Sequence, residues 1–122
     1  MNLKPAHILM VALVSLSGCA SAPDLKSVAR QPLKVTSFSG GRETGERQFA
    51  SGSPEQEKLV TWLENHRTGW KRSWISYAPG AVLVSGTNFT LNIHTSGVIL
   101  NVVGQCQYER DASVSDFTYL LQ

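Results

Sequence analysis

Asn88–Val103 reads NFTLNIHTSGVILNVV, and its first half alternates without a break. Phe89, Leu91 and Ile93 fall on one face; Asn88, Thr90, Asn92 and His94 fall on the other. A period of two with a single apolar face is the signature of a half-buried strand. Ser96-Gly97 then supplies a turn, and Val98–Val103 follows as a second apolar run, with a continuation toward Tyr108 open to it. The stretch therefore folds back on itself as an antiparallel hairpin. A lone hairpin is marginal in water, so this one needs further strands and a cover for its apolar face.

Both are available upstream. Ala81–Ser85 (AVLVS) is a short apolar run between the turn residues Ala78-Pro79-Gly80 and Gly86-Thr87. Trp70–Tyr77 (WKRSWISY) reads as a strand with Trp70, Arg72, Trp74 and Ser76 on one face and Lys71, Ser73, Ile75 and Tyr77 on the other. Leu33–Ser39 alternates weakly, with Leu33, Val35 and Ser37 opposite Lys34, Thr36 and Phe38. The cover is a helix over about Pro54–Arg67. Ser53 is a good N-cap, Pro54 suits the first helical position, and Gln56 completes a capping-box spacing with Ser53. Glu55 and Glu57 suit the positive end of the helix dipole. Leu59, Trp62, Leu63 and His66 follow at i, i+3, i+4 and i+7, one packing face. Gly69 is placed to end the helix. Ser115–Leu121 (SDFTYLL) suits a short helix or an edge strand.

The expected fold is thus α+β: an antiparallel sheet of four to five strands with one capped helix packed on one face, forming a single domain over residues 33–122. The chain has 122 residues, one domain by size. Hydrophobic residues are 42%, enough for a packed core, and charged residues only 16%, which argues against a charged disordered tract. Eleven basic against nine acidic side chains give +2. That balance provides no clustered basic footprint for nucleic acid.

Gly40–Ser53 (GGRETGERQFASGS) is polar and glycine-rich and reads as a mobile surface loop. Gly40 and Gly45 have the outer spacing of a phosphate-binding loop. Glu46 and Arg47 stand where that chemistry requires lysine and then serine or threonine, so a phosphate site is excluded.

The N-terminus has a different character. Lys4 precedes an apolar run, Ala6–Leu16 (AHILMVALVSL), too short to span a bilayer but suited to the apolar region of an export signal. It ends Leu16-Ser17-Gly18-Cys19: an aliphatic residue, two small residues and a cysteine. This resembles the lipobox of bacterial lipoproteins. The small residues give a peptidase access to the backbone, and the Cys19 thiol is the nucleophile that accepts a diacylglyceryl group. The resemblance implies cleavage between Gly18 and Cys19, removal of residues 1–18, and a membrane anchor of two or three acyl chains on Cys19. Ala20, rather than aspartate, follows the cysteine, which in lipoproteins of enteric type implies the periplasmic side of the outer membrane. Ala20–Pro32 is polar and reads as a flexible tether. Acylation would consume Cys19 and leave Cys106 as a lone thiol.

Few residues in the domain suggest chemistry. His66 and His94 lie in different elements, without HExxH or Cys-x-x-Cys spacing, so neither a metal nor another cofactor is expected. His66 reads as a core-edge residue, His94 as a polar-face strand residue. No Gly-x-Ser-x-Gly elbow occurs. Trp70, Lys71, Arg72, Trp74 and Tyr77 interleave aromatics with cations, a composition enriched at protein interfaces. The expectation is a lipid-anchored envelope protein whose domain is a non-catalytic module binding a protein partner. Alternatives are an immunity or inhibitor lipoprotein guarding against a secreted toxin or wall hydrolase, a structural component of an envelope assembly, and a small envelope enzyme using His94.

Overall fold

The computed structural model describes residues 19–28, 30–74 and 80–121. The export-signal reading of residues 1–18, including Leu16, Ser17 and Gly18 of the lipobox, lies outside them. So do Tyr77 and its neighbours from 75 to 79. The fold is α+β, and the described residues form one antiparallel sheet of seven strands, more than the four to five expected. In chain order these are β1 (Leu33–Ser39), β2 (Arg42–Phe49), helix α1 (Pro54–Asn65), β3 (Lys71–Arg72), β4 (Val82–Ser85), β5 (Phe89–Ile93), β6 (Gly97–Val102) and β7 (Gln107–Asp111). The spatial order is β2-β1-β4-β5-β6-β7-β3.

The register explains the core. Val35 pairs with Val84, Val84 with Leu91, Leu91 with Leu100, and Leu100 with Tyr108. These five residues from five strands form one transverse row, and none is more than 2% exposed. Val82, Ile93 and Val98 make a parallel row on one side, and Leu33, Phe89 and Val102 lie on the other. Because side chains alternate along a strand, all of them point to the same face. That face is covered by α1, through Leu59, Trp62 and Leu63, and by a 3₁₀ segment, Val114–Leu120, through Phe117 and Leu120.

The two extra strands come from different causes. β2 occupies the stretch read as a mobile loop. Its sequence, RETGERQF, is exposed everywhere except Phe49, so no apolar alternation announces it. Gly40 (φ 57°) and Gly41 (φ 77°) form the two-residue turn between Ser39 and Arg42. Two consecutive positive φ values are what a type I′ hairpin demands. β1 then supplies backbone partners along the full length of β2, with one register shift at Ser37/Phe38. Charges along β2 suit an open sheet edge, where they oppose strand-to-strand aggregation. The expected second hairpin strand divides in two: the chain turns at Val103-Gly104-Gln105, with Gly104 at φ 80°, and returns as β7. Of the expected strand Trp70–Tyr77, residues 70–74 are described, and among these Lys71 and Arg72 are assigned to the sheet.

The helix begins as its sequence dictates. Ser53 Oγ accepts from the Gln56 N–H at 3.2 Å. The Gln56 side chain, buried, accepts instead from the Gly52 N–H at 3.0 Å, since the Ser53 N–H is taken by the Ala50 carbonyl.

Ala20–Pro32, read as a tether, is seated on the domain along most of its length. Lys26–Val28 forms a 3₁₀ turn, with Val28 buried in the core. The buried Gln31 amide is the main fastening. Its Oε1 accepts from the Thr87 N–H at 2.6 Å, Thr87 Oγ1 at 3.0 Å and the Asn88 N–H at 3.3 Å. Its Nε2 donates to the Ser27 carbonyl at 3.1 Å and Asn88 Oδ1 at 2.9 Å. An amide with every polar group used is a strong local constraint when buried. Gly86 permits this approach, because a Cβ there would collide with Gln31 Oε1 and the Phe89 ring.

Gly86→Ala will lower stability by about 1–3 kcal/mol through overpacking, whereas Gly45→Ala, which meets only open space, will change it by no more than about 0.5 kcal/mol. Urea titration of both variants measures this. The Tyr119 hydroxyl is pushed up to about 12, first by burial and then by the charge of Asp116. The unfolded chain therefore releases this proton at lower pH than the folded one. The stability that follows from the shift is complete below pH 10 and falls as pH rises toward 12; a Tyr119→Phe variant should show a flatter decline in thermal melts over that range.

Candidate functional site

His94 continues the alternation of β5 and lies on the outer face of the sheet, beside Asn92 and opposite the core face. Its backbone N–H donates to the Gly97 carbonyl at 2.8 Å and closes the β5–β6 hairpin. On the same face β6 contributes Ile99, β7 contributes Glu109, and β3 contributes Lys71, which is the direct partner of Glu109 across the sheet edge. These residues, with Asp111 at the end of β7, line a cleft of about 410 Å³. Gly80 of the β3–β4 connection lies over the neighbouring part of the face, its N–H donating to Asn92 Oδ1 at 2.7 Å.

The cleft is mixed in charge. Lys71 brings a positive group and Glu109 and Asp111 bring carboxylates, while the Arg110 side chain, in register with the core residue Val98, turns to the other face. Such a lining suits a polar or zwitterionic surface better than a strongly charged polymer. His94 thus shares a cleft with two carboxylates, an arrangement chemically suited to proton transfer if a substrate brings them within reach. Among the described residues no cluster of three or more His, Cys, Asp or Glu side chains has the arrangement of a metal site.

One wall of the cleft is fastened to the end of α1. The Arg110 guanidinium lies 6.0 Å from the Trp62 ring and 5.8 Å from the Trp70 ring. Its Nη1 donates to the Thr68 carbonyl and, at 3.2 Å, to the His66 carbonyl. A cation at a helix C-terminus answers the free carbonyls and the negative end of the dipole, and the indole faces add cation–π attraction. Trp70 Nε1 donates to the same His66 carbonyl at 2.6 Å. His66 ends the helix, its ring stacked on Trp62 at 4.1 Å and its Nδ1 donating to the Trp62 carbonyl at 2.6 Å. Trp62 also packs on Phe117 at 4.8 Å.

This geometry divides the aromatic and cationic group read from sequence as one partner surface. Trp70 does not belong to a surface: it is 6% exposed and packs edge-on to Trp62 at 6.4 Å. Burial of its ring beneath the helix end satisfies both its apolar area and its N–H. Lys71 lines the cleft. Arg72 and Trp74 are exposed, with the guanidinium 5.3 Å from the indole. Tyr77 lies outside the described residues. Glu109, Arg110 and Asp111 were not singled out by sequence as a site, because the carboxylates resemble loop charge until β7 aligns them with β6.

Cys19 is not far from the domain either. The structure pairs it with Cys106 as a disulfide, with Cα atoms 5.8 Å apart; the lone Cys106 thiol expected from the sequence belongs to a chain acylated at Cys19. Neighbouring contacts hold the same stretch: Tyr108 Oη donates to the Ala20 carbonyl at 2.6 Å, and the Gln105 side chain exchanges two hydrogen bonds of 2.9 Å with the Asp24 backbone. Among the described residues no helix is long and apolar enough to cross a membrane. Comparison with protein-family models, curated proteins and solved structures finds no match.

Arg110→Ala should destabilise the domain by about 1–3 kcal/mol, since it strands helix-end carbonyls and empties the slot beside two indoles. Hydrogen exchange will localise the loosening to Arg67–Trp70. Arg110→Lys will recover only part of the loss, because an ammonium lacks the planar fork.

Proposed function

We propose that this is a lipid-anchored envelope protein, held to the periplasmic side of the outer membrane through Cys19, whose domain binds a protein partner without catalysis. The observation that carries the reading is the separation of its two ends. Cys19 meets the domain at the β6–β7 turn, while the mixed-charge cleft opens at the opposite end of the same strands, by the β5–β6 hairpin. A strand of six residues spans about 17–20 Å, so a partner in the cleft stands clear of the anchor. The lipobox-like Leu16-Ser17-Gly18-Cys19 supports the anchor. An immunity protein or an assembly component would use the same arrangement.

A sulfur atom in a lipid thioether cannot also hold a disulfide. The Cys19–Cys106 pair is then the state open to a chain whose Cys19 has not been acylated, and acylation leaves the Cys106 thiol beside the anchor. Two or more acyl chains make attachment durable, where one chain alone binds only marginally.

A second reading is favoured by His94 sharing its cleft with Glu109 and Asp111: a small envelope enzyme with His94 as general base. It requires turnover of cell-wall or envelope material that His94→Ala abolishes while the fold stays intact.

An alkyne-palmitate label should enter the wild type and Cys106→Ser but not Cys19→Ser. A photo-crosslinking residue at Ser96, on the cleft rim, should yield a discrete protein adduct in intact cells, lost in Glu109→Lys or Asp111→Lys. Absence of label defeats the anchor; absence of any discrete adduct defeats the binding module.

A further inference from the structure

We infer that the end of the domain bearing Cys19 lies directly against the bilayer, with Trp74 and Val103 in the membrane interface. The inference rests on the anchor proposed above and adds the surface that the anchor brings to the lipid. Its first support is the lack of a free tether. The Ala20 carbonyl is held by Tyr108 Oη, Asp24 is held by Gln105, and Val28 and Gln31 are buried. None of these contacts involves a sulfur, so they persist whether Cys19 carries lipid or not. The Cα of Cys19 is one peptide step, about 3.8 Å, from that of Ala20. Acyl chains attached there leave the protein at its own surface, beside the β6–β7 turn.

The second support is what else is at that end. Among the described residues three large apolar side chains are exposed, and the two most exposed are Trp74 and Val103, each at 79%. Val103 is in the β6–β7 turn itself, three residues before Cys106. Trp74 reaches the same end along the neighbouring edge. Arg72 pairs with Tyr108, and the Ser73 N–H donates to the Gln107 carbonyl at 2.9 Å. Continuing that antiparallel count sets Trp74 level with Cys106. An exposed indole with a guanidinium 5.3 Å away is suited to the boundary of headgroups and acyl chains, where tryptophan is enriched and arginine meets phosphate. Two exposed apolar groups flanking one lipid attachment point have a single simple occupant, the lipid.

The test uses the acylated protein in vesicles of phosphatidylethanolamine and phosphatidylglycerol with brominated acyl chains. Trp62 and Trp70 are buried, so Trp74 is the indole open to quenching. Its emission should shift to the blue and be quenched, and Trp74→Phe should remove the quenchable component. Val103→Asp, at an exposed turn position, should keep the fold and reduce the quenching several-fold. Protein that floats with the vesicles but shows no quenching overturns the inference and leaves the anchor standing. Trp74 shielded only when an envelope protein is added also overturns it, in favour of a protein contact. Protein that neither labels with palmitate nor floats overturns the anchor and the inference together.

Discussion

The transverse row Val35, Val84, Leu91, Leu100 and Tyr108 is the constraint on which the rest of this structure depends. It crosses five strands at one level and is almost completely removed from water. A slip of one residue in any of these pairings would turn a whole strand's apolar set outward. The register is therefore held by burial, and with it the positions of both faces. The outer face, which carries His94, Glu109 and Lys71, is defined by the same alternation that buries the row.

Around this row the helix is secured at both ends by different chemistry. At its start, local capping by Ser53 suffices. At its finish, the partners come from far along the chain: Arg110 of β7 reaches the helix carbonyls between two indoles, and Phe117 packs on Trp62. Arg110 also lines the cleft. The wall of the candidate site is thus part of the structural core, which favours a preformed cleft over one assembled on binding.

The N-terminal segment is joined to the sheet by polar contacts as well as by the buried Val28. Gln31 bridges Ser27, Thr87 and Asn88, and Gln105 and Tyr108 grip the backbone nearer Cys19. Directional hydrogen bonds of this kind define orientation. They give the domain one end beside its cysteine pair and another that bears the cleft, and the functional proposal follows from this polarity.

Local patterns in the sequence were enough for the capped helix, the faces of β1 and β5, the β5–β6 hairpin and the α+β class. Each depends on residues within a turn or two of one another: a cap and its first turn, a period of two, a Ser-Gly reversal. Tertiary structure alone decided the remainder. The polar β2 has no pattern of its own and becomes a strand because β1 offers a ladder. Residues 20–28 are composed like a linker but are held by Gln105 and Tyr108, the latter 88 residues from its partner. Trp70 and Trp74 are spaced as neighbours on one strand face, yet one is buried and the other exposed, because the helix end covers only the first. Contacts across such separations depend on which surfaces the sheet brings together, and no local arrangement of residues specifies that.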